Sequence, residues 1–128
     1  MTRVSYDFVV LRLVPHVHRY GAAEVGVILH ARTADYLDAR VISDPERLSG
    51  LAPDADPERI SRYLETLAAI ARGDAEGGQI ALLPPSERFH WLAAPRSDVL
   101  QSSPIHGGLT NDPAATLEEL FALHTGGS

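Results

Sequence analysis

Hydrophobic positions change their period twice along this chain. From Tyr6 to Val14 nearly every residue is apolar, with Val9, Leu11 and Leu13 opposing Phe8, Val10 and Val14. Such a run reads as a strand buried on both faces along much of its length. Pro15 ends it, because proline cannot donate to a sheet ladder. Ala23 to Ala31 predicts a second strand, with Val25, Val27 and Leu29 on one face and Gly26, Ile28 and His30 on the other. Tyr36 to Ser43 predicts a third, after a turn near Ala34-Asp35. The loop His16-Val17-His18-Arg19-Tyr20-Gly21 is short, so the three strands are expected to form an antiparallel meander.

The pattern then becomes helical. Three Asp-Pro pairs mark helix starts: Asp44-Pro45, Asp56-Pro57 and Asp112-Pro113. An Asp side chain accepts from orphan backbone N–H groups, and Pro suits the first helical position, where its missing donor costs nothing. The helix after Asp56 is the clearest. Ile60, Leu64, Leu67, Ile70 and Ala71 form one apolar stripe, Arg72 suits the negative end of the helix dipole, and Gly73 is a C-cap. A short helix is expected from Pro45 to Gly50, and a last one from Pro113 to His124 that buries Leu117, Leu120 and Phe121. Between the helices, Gln79 to Leu83 and Arg88 to Ala93 read as short strands, the second with Phe89 and Trp91 on one face and Arg88 and His90 on the other. Asp98 to Ser102 either pairs back or runs irregularly. The expected architecture is α+β, an antiparallel sheet of about four to six strands packed against two main helices.

With 128 residues and 45% apolar composition, a single domain over 1–128 is expected, its ordered core about 5–124. The chain has no cysteine, which excludes disulfides, thiolate nucleophiles and Cys-based metal sites. All eleven basic residues are arginines. A P-loop, a protein-kinase site and a pyridoxal Schiff base each need a lysine, so none is available. The net charge of −6 disfavours nonspecific nucleic-acid binding, which depends on clustered cations. The first residues lack the apolar segment of a signal peptide, and no run approaches the roughly 18 apolar residues of a membrane span. A cytoplasmic protein that makes no membrane contact is expected.

Chemistry concentrates between Glu87 and Gly108. Arg88, His90, Trp91, Arg96, Ser97, Gln101 and His106 combine forked cationic donors, imidazoles and a flat aromatic plate, and Gly107-Gly108 lets a ligand approach the backbone. This is the candidate binding site for an anionic or planar ligand, or for a segment of a partner. The competing reading packs Trp91 and Phe89 inward and ties Arg88 and Arg96 to acids or carbonyls. His16 and His18 alternate at a strand end, but two His with no defined third ligand make a weak metal signal, so they read as loop residues and no metal or other cofactor is expected. His-x-Ser/Thr pairs of the phosphoesterase kind are absent. A Ser–His–Asp set drawn from Ser97, Ser102, Ser103, His90, His106 and Asp98 lacks the nucleophile-elbow motif.

Several of these blocks carry a resemblance. Tyr6-Asp7, Glu24-Val25-Gly26-Val27, Glu87-Arg88-Phe89-His90-Trp91, Ala94-Pro95-Arg96-Ser97 and Ser103-Pro104-Ile105-His106 resemble a bacterial family known as domain of unknown function 3037. The resemblance runs from about Tyr6 to Phe121. It implies no activity and transfers no catalytic residue. It does imply a neighbour, since genes of this family often lie beside one for a HipA-type Ser/Thr kinase-like protein. The expected function is therefore a non-catalytic interaction or regulatory module partnering such a protein. The alternatives are a small enzyme or binding protein for a phosphate- or carboxylate-bearing ligand, and a nucleic-acid-binding accessory protein.

Overall fold

A computed structural model describes residues 2–14, 23–52, 55–94 and 100–126. The opening meander forms as its pattern predicts: β1 is Val4–Leu13, β2 is Ala23–Ala31 and β3 is Tyr36–Val41. Asp35 makes the turn into β3 with φ +52°, a left-handed conformation that Asp tolerates better than most residues. Two further strands, β4 (Leu100–Ser102) and β5 (His106–Thr110), complete a five-stranded antiparallel sheet. The order is β3-β2-β1, and the far edge of β1 is shared. There β4 pairs with Leu11 to Leu13 and β5 with Val4 to Phe8. A bulge between β1 and β2 sets Leu11 opposite Gly26 and Arg12 opposite Glu24. Gly26 suits the tight packing there, because a Cβ would stand 3.0 Å from the Arg40 carbonyl and the Val41 side chain and would make them give way.

All three Asp-Pro starts cap real helices. These are α1 (Pro45–Leu51), α2 (Pro57–Arg72) and, near the end of the chain, the helix Pro113–Thr125. The Asp44, Asp56 and Asp112 carboxylates accept from Glu46, Glu58 with Arg59, and Ala115 backbone N–H groups at 3.1 to 3.3 Å. Gly73 terminates α2 with φ +76°.

Two expectations fail between α2 and β4. Gln79 to Leu83 is not a strand but belongs to a 3₁₀ segment, Ala75–Leu82, broken by Gly78 at φ +75°. Gly77 in that segment lies so close to α2 that a Cβ would clash with Ile70. Arg88 to Ala93 is also helical, as α3 (Pro85–Ala93), so the helix at Pro113–Thr125 is α4. Pro85 sits in the first turn of α3, and Arg88 N–H closes the first backbone bond onto Pro84 O at 3.0 Å. Phe89 and Leu92, three residues apart, then share the buried face, whereas Trp91 turns away and is 37% exposed. The aromatic alternation that suggests a strand is overridden by this i, i+3 pair.

The layers follow from side-chain alternation across the registers. Phe8, Val10, Leu29, Val27 and Arg40 share one face of the sheet. There α4 packs, with His124 against the Phe8 ring and Phe121 beneath the Arg40 guanidinium. Asp7, Val9, Leu11, His30, Ile28 and Ala39 share the other face. There α3 sets Phe89 against His30 at 5.2 Å between ring centroids, and α2 packs beside α3. With helices on both faces, β2 is buried from Val25 through Ala31, as its near-continuous apolar run requires.

Candidate functional site

Arg88 and His90 rise from α3, but the chain itself engages both. The Arg88 guanidinium fills the space over Gly73 and donates from Nη1 to Ala81 O at 3.3 Å. It thereby ties the 3₁₀ segment to the end of α2, while its Nε is buried without a hydrogen-bond partner among the described residues. His90 is exposed and directs Nδ1 at Ser86 O, one turn back, at 2.8 Å. Trp91, on the same helix, is exposed.

Gln101 and His106 sit elsewhere. Gln101 lies on β4 opposite Arg12 and is exposed. His106 opens β5 opposite Phe8, and their rings lie tilted to each other with centroids 5.4 Å apart. Phe8 belongs to the α4 face, so His106 and the Arg88–His90 pair occupy opposite faces of the sheet. The structure therefore does not bring them together on one surface. Arg96 and Ser97, with Asp98, fall outside the described residues, as do His16 and His18. The remaining serines of the Ser–His–Asp idea are engaged by backbone. Ser102 Oγ donates to Leu92 O at 3.2 Å, and Ser103 Oγ donates to Pro104 O at 2.8 Å while accepting Val10 N–H. Among the described residues no group of three or more His, Asp or Glu is placed to hold a metal.

The residues that do gather were not singled out together from the pattern. On the α3 face Asp7 is the direct cross-strand neighbour of His30 on β2 and of Gly107 on β5. His30 is 7% exposed and lies within electrostatic reach of Asp7, His90, Arg32 and Arg88. Burial holds its pKa below the usual histidine value, against the pull of Asp7, so it is kept neutral. Asp7 itself is exposed and makes no ion pair among the described residues. Its Oδ1 leans over Gly107, 3.3 Å from where a Cβ would stand. On the opposite face the His124 ring bonds Glu24 Oε2 at 3.0 Å, with Arg12 3.8 Å from the same oxygen. The signal for the first group was there as an Asp and a His in facing strands, but only the register pairs them.

Beside Asp7 runs an open edge. Among the described residues β5 pairs with β1 alone, so its outer backbone groups have no strand partner. Natural edges are usually guarded by charged residues or proline. The opposite edge, β3, carries Asp38 and Arg40, whereas β5 reads His-Gly-Gly-Leu-Thr. Leu109 on β5 is 63% exposed, and Ile105 just before it is 50% exposed.

Comparison with known families decides the relationship. A family model described as a protein of unknown function, DUF3037, matches residues 8–124. The chain belongs to the DUF3037 family. No curated protein and no solved structure matches it. No helix among the described residues of this DUF3037 chain is long and apolar enough to cross a membrane.

Proposed function

We propose that this DUF3037 chain is a non-catalytic interaction module that receives an extended segment of its partner along the outer edge of β5. The partner is the HipA-type kinase-like protein that the family resemblance implies, and such a partner places the module in the cytoplasm. One observation carries the reading: among the described residues the outer edge of β5 has no strand partner and no Arg, Asp or Glu, and it exposes Leu109, with Ile105 exposed just before it. Strand addition suits such an edge, because main-chain hydrogen bonds supply affinity and alternate side chains supply selectivity. Binding of the purified HipA-type protein to the wild-type chain and to an Ile105→Lys/Leu109→Lys double variant tests it. Both leucine-like side chains are exposed, so the fold tolerates the change, while two lysines guard the edge. Affinity is expected to fall by an order of magnitude or more, on the scale of removing an interface hot spot. Undiminished binding by the double variant refutes the edge as the docking surface.

A second reading, an anionic ligand, draws on Arg32 and the exposed His90 ring, both within electrostatic reach of His30. Phosphate or a carboxylate that binds there raises the melting temperature of the wild type by mass action and not that of His90→Ala. Equal responses dismiss it.

A further inference from the structure

The open edge lies beside a carboxylate, Asp7, that makes no ion pair among the described residues, and a missing side chain connects the two. Gly107 is the residue of β5 that faces Asp7. Where any other residue would cover the acid, Gly107 leaves Asp7 Oδ1 within 3.3 Å of the empty Cβ position. A strand added to β5 places its own residue opposite Gly107, with its Cβ roughly 4.5–5.5 Å away in the direction of the sheet. A short side chain at that position cannot reach the carboxylate across the gap, but the long arm of Lys or Arg can lie over Gly107 and do so. The surroundings of Asp7 supply no substitute. No Arg stands within ion-pair distance of it among the described residues, and His30, its other neighbour, is neutral through burial. Leu109 lies on the same face two residues along β5, opposite the small and exposed Ser5. An apolar partner residue beside it removes both from water.

We propose, on the strand-addition reading above, that the segment taken up by β5 carries Lys or Arg opposite Gly107 and an apolar residue opposite Leu109, with the cation reaching across Gly107 onto the Asp7 carboxylate. The net charge of −6 works in the same direction, drawing basic segments and repelling acidic ones. The recognition pattern is thus an apolar and a basic residue two positions apart on one side of an extended peptide, with any residue between them on the other side.

End-blocked, fluorescently labelled peptides of the form Thr-Val-Thr-Xaa-Thr-Val-Thr, with Xaa as Arg, Gln or Glu, provide the test by anisotropy titration against the intact chain. The symmetrical valines satisfy Leu109 whether the peptide runs parallel or antiparallel. The Arg peptide is expected to bind about two- to five-fold more tightly than the Gln peptide, the scale of an exposed ion pair, with the Glu peptide weaker again. The ranking is expected to shrink in 0.5 M NaCl and to collapse in Asp7→Asn, a change at an exposed side chain that circular dichroism will show to be folded. Equal affinities for the Arg and Glu peptides, or a ranking that survives Asp7→Asn, overturn the charge proposal. The Ile105→Lys/Leu109→Lys variant separates the two levels. If it loses all three peptides while the wild-type ranking ignores Asp7, the edge stands and the charge claim falls. If it binds them undiminished, or if the wild type binds none up to millimolar concentration, the edge falls and the charge claim with it.

Discussion

Gly73→Ala is a test of whether Arg88 is a scaffold residue. Gly73 closes α2 at φ +76°, and a Cβ there would stand 2.3 Å from Arg88 Nη1. Two penalties result. Holding an L-residue in the left-handed region costs about 1–2 kcal/mol. Displacing the guanidinium breaks its bond to Ala81 O and disturbs a charged group that is partly buried, worth about 1–2 kcal/mol more. Gly126 serves as the internal control: it ends α4 at φ +86°, and nothing lies within 4 Å of its Cβ position. Gly126→Ala therefore isolates the conformational cost. The expected losses are about 2–4 kcal/mol for Gly73→Ala and about 1–2 kcal/mol at most for Gly126→Ala. The decisive quantity is a double-mutant cycle. Urea unfolding of Gly73→Ala, Arg88→Ala and the double variant should give a coupling of about 1–2 kcal/mol, because once Arg88 is gone the new methyl meets no guanidinium. In a thermal scan each kcal/mol corresponds to about 3–6 °C for a chain of this size. Strict additivity within about 0.3 kcal/mol would show that Arg88 does not occupy the space over Gly73, and would return it to the pool of groups free to meet a ligand.

Other outcomes follow from buried groups. His30 has a pKa lowered by burial, so the unfolded chain takes up its proton first; stability is full above about pH 6.5 and is lost as pH falls through the folded value. The urea midpoint of the wild type should therefore drop more between pH 7.5 and 5 than that of His30→Gln, and parallel curves would contradict this. Burial, with Asp38, Glu118 and Asp112 nearby, pushes the Tyr36 phenol up to about 12. Absorbance titration near 295 nm should show a late phenol ionisation that Tyr36→Phe removes, and stability should fall as pH rises above about 10, where the unfolded phenol ionises first. Ser103→Ala strands the buried Val10 N–H, which the hydroxyl accepts at 2.8 Å, and should cost about 1–3 kcal/mol in urea unfolding; a loss below about 0.5 kcal/mol would mean that another acceptor replaces it.

Where the pattern succeeded, its cause was local. An Asp followed by Pro caps a helix through atoms two or three residues away, so Asp44, Asp56 and Asp112 could be read directly. β2 from Ala23 to Ala31 was legible because a strand covered on both faces needs an unbroken apolar run. Arg88 to Ala93 failed because two periods compete in it. Phe89 and Trp91 alternate as in a strand, while Phe89 and Leu92 repeat as in a helix, and the Pro84-Pro85 start favours the second. β5 was missed as a strand because Gly107-Gly108 has no intrinsic preference for one. Its pairing with Tyr6 and Asp7 fixes it, and Tyr6 covers the space that a Gly108 side chain would need.

The candidate site divides along the same line. Arg88, His90 and His106 stand within nineteen positions of one another, and their chemistry alone suggested one surface. The amino-acid order determined the starts of the three helices that follow an Asp-Pro pair, the core strands and the exclusion of lysine- and cysteine-dependent chemistry, since these depend on neighbours in the chain or on composition. Only the tertiary structure decided which face each side chain takes. A strand alternates its faces with every residue, so the register of β5 on β1 sends His106 to the α4 side and sets Gly107 beside Asp7. That register is chosen by contacts a hundred residues apart, and nothing within either segment specifies it.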